Sequence, residues 1–587
     1  MSESPGAAFR ANVDALVAQA AAKLGLASLP ALEVPPDSNL GDLGLPCFSF
    51  AKTMRLPPPA IAQKVAEAIA LPLGGSGWVQ SVAAAGPYVN FMLDRARLAA
   101  AVLADPESVL TAPRKAETIL LEHTSANPNG PLHVGRARNP ILGDTLARIY
   151  RAAGYTVEAQ YYMDNLGRQV ATLSWGKWNL DPASLPPAAR PKMDHDLVRY
   201  YQAAHELASK DKATGQPKDA AVAAAIKALV EELESADPKV LAKVRPVYEA
   251  CFAGMRETLT RFGAHYDSIK DESDVVLDGS VAATIEQLKR LPIAGVDETG
   301  ANYLDLSSLL KGQKDKFFFT RRDGTSVYAT RDIAYHAWKA KRVAGKGRLV
   351  NVLGEDHKLQ ALQVGTALDA LGIARPTVLF YSFVSLPEGK MSTRANRVVF
   401  LDDLMDEAVE RAYEEVKRRR GDELPEAQLR SIAEAVGIAA VRFNIARIQP
   451  EKPIEFRWEE ALSFDGDSAP YLMYAHARAA SLLAKAKTEG LTTKGAAPAG
   501  EGELRLAHAI GRFVPVAEEA ARQNAPHRMA AYALELAAAF NDYYRDHRVL
   551  ECEDAAQRAL RLRMVEAARI ALARTLRTLA VEPLDAM

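Results

Sequence analysis

Hydrophobic and polar positions change rhythm along the 587-residue chain. Near the N-terminus Val13, Leu16, Val17, Ala20 and Leu24 recur at helical spacing and predict an amphipathic helix. Apolar runs at 79–82 and 88–93 then flank a Gly86-Pro87 turn and predict strands. Residues 1–108 read as a small α+β domain, with a proline-bearing linker at 105–117. From about 117 to 450, β-leaning runs alternate with helical patterns. The clearest runs are 118–121, 156–163, 348–353 and 377–386, which predict a doubly wound, Rossmann-like parallel sheet over 109–450. Residues 176–275 interrupt the alternation. A proline-rich connector at 182–191 leads into Ala/Lys/Glu-rich helices, so this stretch reads as a helical insertion. Residues 451–587 are almost wholly helical in pattern and predict an all-α bundle.

Composition narrows the class. Hydrophobic residues make up 48% and charged residues 25%, ordinary for a globular protein. The three cysteines, Cys47, Cys251 and Cys552, lack metal or disulfide spacing and read as buried thiols in a reducing compartment. The acidic, polar start Met-Ser-Glu-Ser-Pro does not resemble a signal peptide, and no apolar run approaches a membrane span. A cytoplasmic location is the expectation. The net charge of −1 does not advertise a nucleic-acid binder. An RNA partner would need local patches, such as 417–420 or the arginines at 558, 561, 563, 569, 574 and 577.

The chemistry concentrates where the run at 118–121 meets the helical pattern beginning near Asn139. Between them lies Glu122-His-Thr-Ser-Ala-Asn-Pro-Asn-Gly-Pro-Leu-His-Val-Gly-Arg136. A polar loop joining a buried strand to a helix N-terminus suits an anion, because the first helical amides lack partners and carry the positive end of the dipole. His133 adds a donor, and Gly135 lets a base or ribose approach the backbone. Much later comes Gly389-Lys-Met-Ser-Thr-Arg394. The two strings resemble the paired signatures of class I aminoacyl-tRNA synthetases, His-x-Gly-His and Lys-Met-Ser-Lys-Ser.

With Tyr328-Ala-Thr-Arg-Asp332 and Tyr471-Leu-Met-Tyr-Ala-His-Ala-Arg478, the resemblance sharpens to arginyl-tRNA synthetases and spans most of the chain. It implies an N-terminal domain touching the tRNA, a catalytic domain that makes arginyl-adenylate from arginine and ATP, and a bundle that reads the anticodon. Transfer to the tRNA ribose then releases AMP. ATP would arrive with Mg²⁺, with no tightly bound metal, and the family suggests a monomer.

By the same resemblance, catalysis falls to His133, Arg136, Lys390, Ser392 and Arg394. ATP would meet His133, Gly135, Arg136, Gly354, Asp356, His357, Lys390, Met391 and Ser392. Arginine would meet Glu122, Ser125, Asn127, Tyr328 and Asp332, with Asp332 on the guanidinium. Tyr471, Tyr474, His476 and Arg478 would meet tRNA. Arg136 stands where the first signature ends in histidine, and Thr393 where the second usually has lysine. Arg394 or Lys390 would then supply the charge. Asp164-Asn165 reverses the order that family members often carry. Two competing readings remain at this stage: a class I enzyme for another substrate, and a synthetase-derived RNA-binding protein without catalysis.

Overall fold

The computed structural model describes residues 4–35, 40–69, 71, 75, 77–211, 214–307, 309, 316–385, 399–421, 423–493 and 497–587. The N-terminal helix runs from Pro5 to Leu24, with the Ser4 hydroxyl accepting a hydrogen bond at its first turn. It lies with helix Pro58–Ala68 beside an antiparallel sheet of Leu43–Pro46, Tyr88–Leu93 and Val79–Ala85. The stretch read as a linker holds a short helix, Pro106–Val109, capped by Asp105.

Among the described residues, five parallel strands form the central sheet: β1 Thr118–Glu122, β2 Thr156–Met163, β3 Ser268–Asp271, β4 Gly347–Gly354 and β5 Thr377–Tyr381. Their spatial order is β5-β4-β1-β2-β3. Successive strands therefore run first to one side of β1 and then to the other, so the order reverses between β1 and β4. Ligands bind at the C-terminal edge of such a switch point. Ile119, Leu120 and Leu121 are fully buried, as expected for a strand covered on both faces. Helix α1, Arg138–Ala152, leaves the loop after β1.

Three helices, Met193–Ala208, Ala220–Glu234 and Pro238–Arg261, fill most of the predicted insertion. The sequence reading differs from the structure at its end. Strand β3 lies inside the 176–275 stretch yet pairs with β2 as part of the main sheet. Its four residues carry only one strongly apolar side chain, Ile269, so hydrophobic periodicity gave it no mark. The predicted strand at 377–386 is also divided: β5 ends at Tyr381 and a two-residue strand, Val384–Ser385, pairs with Ile454–Glu455. A small antiparallel sheet between Ala294 and Phe318 was not foreseen.

Helix α2, Tyr328–Arg342, precedes β4. Helix α3, Leu401–Arg420, and helix α4, Glu426–Ala446, lead to the C-terminal helices Ala469–Thr488, Glu501–Gly511, Phe513–Gln523, Pro526–Asp546 and Ala555–Thr578. One hydrophobic core runs from Val13 through Leu121 and Leu146 to Leu536 and Leu572, joining the N-terminal domain, the sheet and the bundle.

Charge is buried in this junction. Asp144 of α1 meets the fully buried Arg442 of α4 at 2.8 Å and Arg148 at 2.8 Å. Truncating one member of a buried pair leaves the other charge uncompensated, which costs about 3–5 kcal/mol. Asp144→Ala should therefore lower the urea midpoint of unfolding markedly. An unchanged midpoint would show that the pair carries no such weight.

Candidate active site

Strand register sets the site. Glu122 at the end of β1 lies opposite Asn351 of β4 and Gln160 of β2. One turn before the end of α2, the fully buried Lys339 sends its ammonium into this row, donating to Glu122 Oε2 at 2.8 Å and Asn351 Oδ1 at 2.9 Å. The Asn351 amide donates to His336 Nε2 at 2.9 Å, and His336 Nδ1 donates to the Asp332 carbonyl at 2.7 Å. Burial and the nearby Lys339 charge push the His336 ring well below its usual range, which leaves it neutral and fits that tautomer. The Tyr335 hydroxyl donates to Gln160 at 2.5 Å, and its ring stacks on Tyr162 with centroids 4.0 Å apart.

The loop after β1 is strained and heavily tied. Thr124 and Ser125 have φ of 69° and 42°, left-handed values that a β-branched residue adopts at a cost of about 1–3 kcal/mol. The Thr124 amide donates to Asn139 Oδ1 at 2.6 Å, and the Asn139 amide group donates to the Val352 carbonyl at 3.0 Å. Asn139 thus locks the loop, α1 and β4 together. The Ser125 hydroxyl donates to Glu122 at 3.1 Å and accepts from the Tyr162 amide. Asn127 is half-buried. Gly143 is required by close packing: a Cβ there would collide with the ring of His123. Burial lowers that histidine to about 4 and keeps it neutral.

His133 sits half-buried just before a single 3₁₀ turn, 134–136. Burial first, and then the Arg136 charge, hold its pKa below the ordinary value. Gly135 turns out to serve His133 itself, since a Cβ would come 3.1 Å from Nδ1 of that ring. Arg136 is exposed, and its guanidinium has no ion-pair partner among the described residues. Arg138 behaves oppositely. It is fully buried and donates to the carbonyls of Ser382, Gln449 and Lys452. Lys390, Met391, Ser392, Thr393 and Arg394 lie outside the described residues. The chain beyond them is placed, however: Val399–Phe400–Leu401 pairs antiparallel with Leu132–His133–Val134.

A second group of side chains gathers at the ends of β2, β3 and α2. Tyr328 and Asp332 both lie on α2, one turn apart, as their spacing predicts. Asp332 accepts from Gln360 at 3.0 Å. Burial and the neighbouring Glu122 charge raise its carboxyl to about 7. Burial, then Asp332 and further carboxylates, push the Tyr328 hydroxyl far up, although the residue as a whole is 44% exposed. Glu272, at the start of the helix after β3, pairs with Arg331 at 2.8 Å. Burial and Asp164 raise it to about 8.

With both groups ionised, Glu272 Oε2 and Asp164 Oδ1 are buried without a donor among the described residues, and Tyr162 OH and Arg331 Nη1 are likewise unpartnered; a protonated Glu272 donates to Asp164. Such atoms point to a ligand that completes them. The reversed Asp164-Asn165 pair also resolves. Asn165 is structural, bonded to Ser273 and Tyr248, while Asp164 keeps an unpartnered oxygen.

Sequence reasoning missed Glu272, Lys339, Asn139 and Gln360. Lys339 was recoverable, because Tyr328, Asp332, His336 and Lys339 follow one helical face. Glu272 was hidden in the stretch assigned to the insertion.

On the other side of β4, Gly354 leads into the 3₁₀ turn Glu355–His357. Asp356 and His357 are exposed, their side chains 3.7 Å apart. In the bundle, Tyr474 and Arg478 line a cavity of about 530 Å³ with Tyr544, Arg420 and Arg548. The Arg478 guanidinium lies 4.7 Å from the Tyr474 ring centroid and 5.0 Å from that of Tyr544. Tyr471 is half-buried against the core. His476 departs from the sequence reading. It is 1% exposed and its Nδ1 donates to the Leu584 carbonyl, so it fastens the C-terminal tail rather than facing a base.

A switch-point sheet with a histidine–glycine loop over its edge is the arrangement of class I aminoacyl-tRNA synthetases. Comparison with known proteins agrees. Residues 98–458 match the family model for the class I (R) tRNA synthetase catalytic domain, residues 11–93 the arginyl tRNA synthetase N-terminal domain, and residues 472–587 the DALR anticodon binding domain. The arginine–tRNA ligase of Methanocella arvoryzae is 44% identical over 92% of both chains. That of Methanothrix thermoacetophila is 38% identical over 99% of both. The solved Thermus thermophilus arginyl-tRNA synthetase superposes with a TM-score of 0.82 at 30% identity, covering 99% of this chain and 100% of that one. The chain belongs to the arginyl-tRNA synthetase family.

The acidic pocket has a pH signature. Asp332 and Glu272, raised to about 7 and about 8, must be ionised to attract a cation. Arginine affinity should therefore rise as pH increases from 6 to about 8.5 and then level off, with protons released on binding. Calorimetry in buffers of different ionisation enthalpy measures both. Affinity that falls over this range would contradict the charge assignment.

Proposed function

We propose that this chain carries out ATP-dependent ligation of arginine to its tRNA through arginyl-adenylate with the residues described above in the following roles. The observation that carries the proposal is the separation of charge across the switch point. Carboxylates Asp332, Asp164 and Glu272, of which only Glu272 is ion-paired (with Arg331) among the described residues, gather on the β2–β3 side, and the donors His133 and Arg136 stand at the N-terminal end of α1.

A guanidinium is a planar fork of five donors, matched by carboxylates that keep unpartnered oxygens. Asp332 takes the guanidinium, with Glu272 beside it and the Tyr328 ring along its stem. Glu122 and Ser125 take the α-ammonium. Glu122 is already half-neutralised by Lys339, so it orients the amine without competing strongly for the guanidinium. Asn127 receives the carboxylate. The substrate's two cationic groups are then fixed, and its carboxylate is directed toward the nucleotide.

The first step needs no covalent enzyme intermediate. The carboxylate attacks the α-phosphate and pyrophosphate leaves, so catalysis is positioning and stabilisation of phosphate charge. His133 is kept neutral and donates from one ring nitrogen. Arg136, exposed and permanently cationic, faces the phosphates where the signature's second histidine usually stands. Gly354, Asp356 and His357 border the ribose and base. Mg²⁺ enters with ATP on phosphate oxygens, as part of the substrate. Lys390, Met391, Ser392 and Arg394 would add charge and donors over the pyrophosphate.

For tRNA, Tyr474 and Arg478 offer a stacking surface and a cation in one cleft, which suits unstacked bases. Action as a monomer in the cytoplasm belongs to the same reading. Among the described residues no helix is long and apolar enough to cross a membrane.

Arginine-dependent ATP–pyrophosphate exchange, with and without cognate tRNA, tests the proposal. His133→Ala should lower the turnover of exchange by about 100–1,000-fold, the usual loss for one preorganised donor, with arginine affinity preserved. Unimpaired exchange in that variant would remove His133 from the chemistry.

A further inference from the structure

The segment that pairs with His133 is anchored from outside the nucleotide fold. Leu401 N donates to the Leu132 carbonyl at 2.6 Å and Val134 N to the Val399 carbonyl at 3.0 Å, which places Phe400 directly across from His133. The next residue, Asp402, is 5% exposed and accepts from three groups of the helical insertion. Lys192 Nζ lies 2.9 Å away, His195 Nε2 2.9 Å and Thr258 Oγ1 3.1 Å. The His195 ring also packs edge-on against Phe400, with centroids 5.2 Å apart.

Asp194, His195 and Asp402 have a spacing that would suit a metal ion. The Lys192 ammonium already stands there, bound to Asp402 and 3.2 Å from Asp194. The insertion grips the following turns of α3 as well. Arg190 pairs with Asp403 and Asp406, and Arg261 with Asp406 and, on α4, with Glu434.

We infer that Asp402 is a positioning residue for adenylate formation. Held by Lys192, His195 and Thr258 of the insertion, it fixes the 399–401 backbone and through it the placement of His133. Three physical points support this. A buried carboxylate with three donors, one of them its counter-ion Lys192, has few alternative arrangements. The backbone pairing leaves no intervening flexible residue between Asp402 and the partner of His133. His133 itself has no side-chain hydrogen bond among the described residues, so its backbone and the chain beside it determine where its ring stands. The helical insertion is thereby part of the catalytic framework rather than an appendage to it. This inference rests on the phosphate role proposed for His133.

The test is a double-mutant cycle in the full-length chain, read by ATP–pyrophosphate exchange with saturating arginine and tRNA. Arginine affinity is followed by calorimetry and folding by thermal melts. Asp402→Asn preserves shape and removes the charge. It should lower the turnover of exchange at least tenfold and leave arginine affinity within twofold. Because it acts through His133, the Asp402→Asn/His133→Ala double variant should be no slower than His133→Ala alone. Lys192→Arg, which keeps a cation, should retain most of the activity.

Should Asp402→Asn not fold, His195→Ala enters the same cycle, since it removes one of the donors that hold Asp402 together with the ring against Phe400. Turnover within twofold of wild type in a folded Asp402 or His195 variant would overturn the inference. So would losses that multiply with the His133 loss, or arginine affinity that falls in parallel. Impaired Asp402→Asn beside an unimpaired His133→Ala would refute the role of His133, and with it this route. Impaired His133→Ala beside an unimpaired Asp402→Asn would refute the tether alone.

Discussion

The ammonium of Lys339 is the charge around which the side chains at the end of β1, β4 and α2 are organised. It has no solvent exposure, so it must be balanced locally, and Glu122 and Asn351 do this from adjacent strands. That requirement fixes the end of β1 against β4 and fixes α2 across both. Asn351 passes the constraint to His336, and His336 to the backbone of Asp332. The two acidic ends proposed for the substrate, Glu122 and Asp332, are therefore held by one hydrogen-bonded row. The same row keeps Glu122 partly compensated and leaves Asp332 the less compensated acid, consistent with its raised pKa.

On the other side of the switch point the electrostatics reverse. His133 and the exposed Arg136, at the positive end of the α1 dipole, are the groups proposed to receive anions. Arginine carries charge of both signs, and ATP carries charge of one. In the proposed arrangement, a site acidic at one end and cationic at the other would orient the amino acid so that its carboxylate is the part delivered to the phosphates. Positive φ at Thr124 and Ser125 lies at the boundary between these halves. The bonds from Asn139, Tyr162 and Tyr266 that hold this turn are what keep two opposite charge environments adjacent.

Much of this was legible in the sequence, for identifiable reasons. Buried parallel strands read as apolar runs, so β1, β2 and β4 stood out; the loop between β1 and α1 is one contiguous string, so its chemistry could be read residue by residue. Tyr328 and Asp332 share a helix, and their spacing alone placed them on one side. Strand β3 was not legible because a short strand of mixed character at the sheet's edge has no hydrophobic signature. Glu272 went with it, since its place in the pocket depends on β3 joining the sheet. His476 illustrates the opposite error. A polar residue among tyrosines suggested a base contact, but its partner is a backbone carbonyl 108 residues further on, which no local pattern contains. Arg138 was equally silent. A permanently charged side chain beside Arg136 gives no hint in sequence that it is fully buried on three carbonyls.

The proposed recognition of arginine turns on Asp332 meeting the substrate's guanidinium as a charge. Citrulline has nearly the shape of arginine but a neutral urea in place of the guanidinium, so the comparison isolates that charge. The direct measurement is the affinity of arginine and of citrulline for the wild-type chain and for Asp332→Asn, by calorimetry at pH 8. The substitution should weaken arginine by about 100-fold or more, as expected when a buried charge-assisted pair is broken, and change citrulline only slightly. Equal losses for both ligands, or undiminished arginine binding, would contradict it.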